Sequence, residues 1–192
     1  MEKVISAVNF AAIAHKNQRR KNAEATPYIN HPIEVMYLLS NAGVTDPDIL
    51  AAAVLHDTIE DCGVTYDQIC QRFGQHVADY VRECSDDKSL PKVERKRQQI
   101  EHAKVISVGA KLIKIADKLS NIGDLTHNPP KNWSNSEIGG YFAWSYAVYL
   151  QLKGCNSILD TQIEAIFATR QLLDISRNDL NLILEHYYDR IS

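Results

Sequence analysis

The chain has 192 residues, of which 45% are hydrophobic and 23% are charged, and its formal net charge at pH 7 is −3. This length suffices for one domain with a sizeable core, and the composition is that of an ordinary globular protein. The acidic balance excludes the electrostatic nucleic-acid binders, which are basic, so any anion must be bound by a local basic cluster.

Helical spacing of apolar residues extends over almost the whole chain, with no strand alternation, internal repeat or low-complexity tract. The predicted fold class is therefore all-α, a helical bundle in a single domain. Pro32 suits the first turn of a helix, and Pro129-Pro130 marks a loop. In chain order, helices are predicted over residues 2–20, 32–41, from 45 through the stretch VLHDTIEDCG (54–63), 65–73, 74–84, 91–104, 109–125, 134–153 and 157–187.

The four cysteines show no C-x-x-C pairing, which argues against a zinc ribbon or a redox motif. Their low density also disfavours a disulfide framework and predicts reduced thiols in the cytoplasm. The N-terminus lacks a basic segment followed by a cleavage site, and no apolar run approaches the roughly 20 residues of a membrane span. We therefore expect a cytoplasmic protein without a nucleic-acid or membrane partner. Association into a homo-oligomer is left open.

The stretch VLHDTIEDCG places four ionisable groups directly after an apolar run, where burial of charge is costly unless something compensates for it. On one continuous helix, Asp57, Glu60 and Asp61 would share a face, with His56 four residues before Glu60. Imidazole together with carboxylates suits a divalent ion such as manganese, iron, zinc or magnesium. A bound cation would offset the cost of gathering these carboxylates.

Two further ligand-type residues stand at similarly awkward positions. His31 lies at a helix start, before Pro32, and Asp117 interrupts the apolar run KLIKIADKL. Each has a simpler interpretation, since His31 could cap its helix and Asp117 could form an ordinary salt bridge. Their conjunction with His56 and Asp57 favours a metal site.

These motifs, YINHP (28–32), VLHDTIED (54–61) and KIADKLSNIGDL (114–125), resemble the HD superfamily of metal-dependent phosphohydrolases. More closely, they resemble the alarmone-hydrolase branch of the RelA/SpoT homologues, and two stretches (19–32 and 86–98) are similar to its small, hydrolase-only metazoan members. The resemblance covers about residues 1–155. It implies an HD-domain helical bundle over 1–155, with residues 156–192 forming one or more helices that pack on the same domain.

The resemblance also implies roles for individual residues. It makes His31, His56, Asp57 and Asp117 the metal ligands, with Mn²⁺ as the cofactor. It assigns Glu60 and Asp61 to the attacking water, which suits carboxylates beside a metal, and Asn121 to the substrate. The chain departs from the family at Ser120 (usually histidine or tyrosine), Gly123 (often arginine) and Cys62 (commonly threonine).

A substrate with two pyrophosphate groups requires positive charge, and two basic clusters lie within the matching segments. From these we select Arg20, Lys21 and Lys92 as substrate-binding residues, because arginine and lysine both bind phosphate. Solvated helix faces are the alternative interpretation of such clusters. Tyr141 is a candidate contact with the nucleoside, although aromatic residues at helical spacing usually belong to the core.

The predicted function is Mn²⁺-dependent hydrolysis of the 3′-pyrophosphate of guanosine 3′,5′-bis(diphosphate), ppGpp, or of pppGpp, giving GDP or GTP and pyrophosphate. One alternative is an NADPH 2′-phosphatase, or another nucleotide phosphohydrolase, that uses the same HD site. The alternative from a different class is a non-catalytic nucleotide-sensing module. We disfavour that last alternative because both the ligand set and the acidic pair are complete.

Overall fold

The computed structural model describes residues 1–192 and is all-α, as predicted. Its one extended pairing is an isolated antiparallel bridge between Arg19 and Pro27. Several helices begin at side-chain caps, including Thr65 and Ser134, each of which forms a capping box with the residue three positions on. The eleven helices are α1 (Glu2–Ala14), α2 (Asn30–Asn41), α3 (Pro47–Leu55), α4 (Thr58–Cys62), α5 (Tyr66–Phe73), α6 (Gln75–Cys84), α7 (Lys92–His102), α8 (Val108–His127), α9 (Asn135–Leu152), α10 (Ser157–Ala168) and α11 (Arg177–Ile191).

The core is continuous and surrounds α8, which packs against α2, α6, α9 and α10. Helix α3 packs between α1, α2 and α6, and residues 51–55 on it are fully buried. Full burial of the Val54 and Leu55 side chains contributes about 1.5–3 kcal/mol each relative to exposure. Helices α2 and α8, which carry His31 and Asp117, thus pack against α3, whose C-terminal end leads into His56 and Asp57.

Of the predicted helices, the first is shorter than expected and the last is divided into two. The helix predicted over 2–20 ends at Ala14, and residues 15–29 form a connecting loop from which Tyr28 contacts Asp57. The single helix predicted over 157–187 is wrong, because α10 and α11 are separated by a turn in which Gln171 has a φ of 56°. The side chain of Ser176 then caps α11 by accepting a hydrogen bond from the backbone N–H of Asp179.

The continuous helix predicted through VLHDTIEDCG is also wrong. Helix α3 ends at Leu55, a turn follows at His56 and Asp57, and α4 begins at Thr58. The Thr58 hydroxyl donates to the Leu55 carbonyl, which uses one of the acceptors that the end of α3 leaves free. Asp57 stands at the N-cap of α4 without capping it, so its carboxylate is available elsewhere.

The C-terminal helices pack on the same core, α10 against α8 and α11 against α9 and α7. The boundary at residue 155 stays a prediction. All four cysteines are free thiols. No helix combines the length and the apolar character that crossing a bilayer requires.

Candidate metal centre and its surroundings

Four ligand-type side chains converge from three parts of the fold. His31 is the second residue of α2, His56 and Asp57 occupy the turn between α3 and α4, and Asp117 lies in the middle of α8. Both histidines are only 3% exposed. Ligand atoms of His31, His56 and Asp117 all lie within 4.8 Å of one another, as a metal site requires.

The Nε2 atoms of the two histidines face the two carboxylates. His31 Nε2 lies 3.1 Å from Asp117 Oδ1 and 3.8 Å from Asp57 Oδ2. His56 Nε2 lies 3.0 Å from Asp57 Oδ2 and 3.7 Å from Asp117 Oδ1. The four atoms therefore point into one small space.

The Nδ1 atoms of both rings are engaged on the outer side. His56 Nδ1 lies 2.8 Å from the Ala53 carbonyl oxygen, which can only accept, so Nδ1 carries the proton. His31 Nδ1 lies 2.8 Å from Ser120 Oγ. Outer partners of this kind orient metal-binding histidines and fix their tautomers.

The electrostatics of the cluster favour a bound cation. Burial acts to raise the pKa of Asp117, but the Lys118 ammonium at 2.9 Å and the two imidazoles hold it well below its usual value. Burial acts to lower the pKa of His56, yet the Asp57 and Asp117 carboxylates raise it. Ionised carboxylates thus draw positive charge to the space between the four groups.

The donor set fits a divalent metal. His56 Nε2 is a buried atom without a hydrogen-bond partner, although a carboxylate oxygen lies 3.0 Å from it. A cation held between this ring nitrogen and the carboxylate would satisfy both groups. Two nitrogen and two carboxylate ligands suit Mn²⁺ as well as other borderline or hard divalent ions.

The acidic pair Glu60 and Asp61 lies on α4, beside the cluster and in contact with a different part of the chain. Lys88 Nζ is 3.5 Å from Glu60 Oε1 and 2.5 Å from Asp61 Oδ1. The backbone N–H of Asp86 donates to Glu60, and the Gln18 amide donates to Asp61. Burial and the Asp86 carboxylate raise the pKa of Glu60. That shift brings Glu60 closer to the range of a general base at neutral pH.

Arg20 and Asn121, both predicted to bind substrate, are connected to the ligand cluster. Asn121 Nδ2 donates to Asp117 Oδ1 at 2.6 Å, and Asn121 Oδ1 accepts from Arg20 at 3.0 Å. Asp124 holds the other edge of the Arg20 guanidinium. A cavity of about 180 Å³ opens here, lined only by polar and charged residues: Arg20, Asn22, Glu24, Thr26, Asn30, His31, Glu34, Asp124 and Asn128.

The other predicted substrate residues are Lys21, Lys92 and Tyr141. Lys21 is exposed. Partial burial of Lys92 lowers the pKa of Lys92, and the charge of Lys21 lowers it further, so these two lysines form one positive patch. Tyr141 packs between Trp133 and Trp144, which agrees in part with a core role. The Lys96 ammonium lies 4.5 Å from the centre of the Tyr141 ring.

Sequence reasoning missed several residues that contact the candidate ligands. The Tyr28 hydroxyl donates to Asp57 Oδ2 at 2.7 Å, and Ser120 joins His31 to Glu34. Tyr28 and Glu34 each lie three residues from His31, and Ser120 lies three residues from Asp117. Polar groups at helical spacing from a ligand were the signal that could have identified Glu34 and Ser120.

Known proteins resemble this chain over most of its length. A family described as "HD domain" matches residues 7–139. Guanosine-3′,5′-bis(diphosphate) 3′-pyrophosphohydrolase MESH1 of Xenopus tropicalis is 50% identical over 165 residues, which are 85% of this chain and 92% of that protein. The MESH1 protein of Homo sapiens is 47% identical over 170 residues, 88% of this chain and 95% of the human protein.

A solved structure is similar over nearly the same span. It belongs to a metazoan orthologue of SpoT, described as hydrolysing ppGpp and playing a role in starvation responses. Its TM-score is 0.87 at 44% identity, and the match covers 90% of this chain and 97% of that one. The predicted resemblance is confirmed: the chain belongs to the HD-domain family, within the branch of RelA/SpoT-related hydrolases.

Proposed function

We propose that this protein is a metal-dependent hydrolase that removes the 3′-pyrophosphate of ppGpp or pppGpp and releases GDP or GTP and pyrophosphate. The convergence of His31, His56, Asp57 and Asp117 beside the acidic pair is the observation that carries the proposal. Relatives bearing this activity in their names align with most of the chain. The protein is accordingly an enzyme, and its partner is a guanosine nucleotide.

His31, His56, Asp57 and Asp117 would hold the metal, for which we propose Mn²⁺. When bound, a divalent ion supplies a Lewis acid for phosphoryl oxygens and for the attacking water. The protein's own contribution is to hold the four side chains with both Nδ1 atoms bonded outward and both Nε2 atoms directed inward.

Glu60 and Asp61 are proposed to orient the attacking water and to accept its proton. Burial keeps the pKa of Glu60 above its usual value, which makes its carboxylate a better base. Lys88 neutralises part of the charge on the pair and fixes the position of Asp61. Water can be deprotonated only while Glu60 is ionised, so the proposed reaction slows when the pH falls through its pKa.

The substrate's phosphates would be bound by basic side chains around this centre. Arg20 is held at the edge of the cluster by Asn121 and Asp124, so its guanidinium is ordered before substrate arrives. Lys21 and Lys92 supply a second positive patch. Tyr141 is proposed to contact the nucleoside, because it lies close enough to Asp117 and Lys118 for their charges to affect its pKa, which burial raises.

The direct test uses chelator-treated protein with ppGpp, with and without added Mn²⁺, and separates the products by ion-exchange chromatography. We expect Mn²⁺-dependent release of GDP and pyrophosphate in equal amounts, and none from Asp57→Ala. Parallel reactions with NADPH compare kcat/KM for a 2′-phosphate. A metal-loaded protein that leaves ppGpp intact would refute the proposal, and a higher kcat/KM for NADPH would favour the phosphatase alternative. Cytoplasmic location and self-association stay predictions.

A further inference from the structure

His31 is joined to a carboxylate on the outer side of the cluster through a single hydroxyl. Its Nδ1 lies 2.8 Å from Ser120 Oγ, and that hydroxyl lies 2.8 Å from Glu34 Oε2. Ser120 is 2% exposed, whereas Glu34 is at the surface of the polar cavity. A hydroxyl has one proton to donate, and the Glu34 carboxylate can only accept. Ser120 Oγ must therefore accept from His31, which places the ring proton on Nδ1.

We propose that Glu34 and Ser120 are positioning residues that fix the tautomer of His31 and thereby set the affinity of the site for a divalent cation. The inference rests on the proposed role of His31 as a metal ligand. With the proton on Nδ1, the lone pair of Nε2 is directed at the cluster, 3.1 Å from Asp117 Oδ1.

Glu34 acts by accepting the proton of the Ser120 hydroxyl, which leaves Ser120 Oγ as the acceptor in its hydrogen bond with His31. Without an obligatory acceptor, the Ser120 hydroxyl could instead donate to His31 Nδ1. The ring proton would then lie on Nε2, where it blocks coordination. His56 has no such freedom, because its Nδ1 donates to the Ala53 backbone carbonyl. His31 is thus the ligand whose tautomer depends on replaceable side chains.

The helices place these residues where the arrangement needs them. Glu34 follows His31 by three residues on α2, and Ser120 follows Asp117 by three residues on α8, so each helix carries one ligand and one positioning residue on the same face. The hydroxyl of Ser120 bridges the two helices, since Glu34 lies on α2 and Ser120 on α8.

The test measures Mn²⁺ binding to the metal-free protein by isothermal titration calorimetry, without substrate. Loss of an outer hydrogen-bond partner typically weakens metal binding about 10–100-fold, and we expect Ser120→Ala in this range. Glu34→Ala should also weaken binding, while Glu34→Gln, whose amide oxygen can still accept, should lie between it and the wild type. The Glu34→Ala, Ser120→Ala double variant should bind no more weakly than Ser120→Ala alone, because Glu34 acts through Ser120.

Glu24→Ala is the matched control, since Glu24 lines the same cavity but makes no hydrogen bond to Ser120. Its Mn²⁺ affinity should equal that of the wild type, which separates the hydrogen bond from the loss of one negative charge. Thermal melting of each metal-free variant checks folding. Should Ser120→Ala unfold, the exposed Glu34 variants still decide the question.

Wild-type affinity in Glu34→Ala would overturn the inference, and so would losses that multiply in the double variant. In both cases a wild type that binds Mn²⁺ and hydrolyses ppGpp would leave the proposed function intact. A wild type that binds no Mn²⁺ would overturn the inference and the proposed metal site together.

Discussion

Tyr28 donates a 2.7 Å hydrogen bond to Asp57 Oδ2, the carboxylate oxygen that also lies 3.0 Å from His56 Nε2. The tyrosine ring is wedged between His15, on which it stacks, and the edge of His31. The loop before α2 therefore orients a side chain of the turn between α3 and α4.

Tyr28→Phe removes this hydrogen bond and keeps the ring. We expect Mn²⁺ affinity to fall about 10-fold. This is the lower end of the range of about 10–100-fold for losing a hydrogen-bond partner of a ligand, because the ring still packs against both histidines. Calorimetric titration of the metal-free protein measures this change. Tyr37→Phe, at an exposed tyrosine on α2, is the control and should have no effect. Equal affinities in the two variants would show that Tyr28 does not orient Asp57.

His56→Ala and Glu60→Gln should separate metal retention from turnover. The first removes a ligand-type nitrogen, so the desalted protein should contain little Mn²⁺ by mass spectrometry of the metal. The second keeps the ligand cluster and should retain the metal, while kcat falls about 10²–10⁴-fold for loss of a general base. Near-normal turnover in Glu60→Gln would refute the proposed division between the two pairs.

Lys88→Ala should shift the acidic limb of the kcat–pH profile to higher pH. Burial already raises the pKa of Glu60, and the Lys88 ammonium partly opposes that rise, so its removal raises the pKa further. Because the base must be ionised, activity is then lost at a higher pH as the solution is acidified. Lys88 is about half exposed, so we expect a pair energy of roughly 0.2–1 kcal/mol and a shift below about one pH unit.

The control for that shift is Lys104→Ala, which removes the same charge from an exposed pair with Glu101 on another part of the surface. Its profile should coincide with that of the wild type. An acidic limb that stays in place in Lys88→Ala, or moves to lower pH, would exclude Glu60 as the titrating base.

Mn²⁺ should stabilise the folded protein. Free metal at 100 times its dissociation constant contributes about 2.7 kcal/mol, which for a domain of this size raises the Tm by about 5–10 °C. Differential scanning fluorimetry with Mn²⁺, and again after excess chelator, measures the gain and its reversal. His31→Ala should melt at the same temperature with and without Mn²⁺. A full Mn²⁺ shift in that variant would remove His31 from the ligand set.

Neighbouring glycines in α9 provide a test of how α11 is docked. A Cβ added at Gly140 would lie 2.5 Å from Tyr187 Cδ2, whereas one added at Gly139 would meet nothing within 4 Å. Gly139→Ala should stabilise by up to about 1 kcal/mol through helix propensity. Gly140→Ala should destabilise by about 1–3 kcal/mol, because Tyr187 must move. Urea unfolding of the metal-free proteins measures both, and equal stabilities would contradict the close packing of α11 on α9.

The helical fold and the converging residues could be predicted because both leave local signals. Apolar residues recur at helical spacing through most of the chain. His56, Asp57 and Asp117 stand out because charge inside an apolar run needs compensation. That same reasoning could not locate Tyr28, since an isolated hydroxyl in a loop is compatible with many environments.

The turn at His56 and Asp57 could not be predicted because no glycine or proline marks it. It depends on tertiary contacts, among them Tyr28 bonded to Asp57 and the His56 ring bonded to Ala53. In α1 the buried residues are Ala7 and Ala11, while Ile5 is 61% exposed, because α1 packs closely on the alanine-rich α3. Small residues form that contact, so the spacing of large apolar side chains such as Ile5 does not indicate which face of α1 is buried.

The turn between α3 and α4 divides the candidate metal ligands from the acidic pair, and the two groups are held by different parts of the chain. His56 and Asp57 depend on the buried end of α3 and on Tyr28, whereas Glu60 and Asp61 are held by Asp86 and Lys88 in the exposed loop between α6 and α7. If the two pairs have the proposed roles, substitutions in that loop would alter the rate of the reaction without weakening metal binding. Turnover and metal retention would then be separately adjustable, although the four residues concerned lie within six positions of the chain.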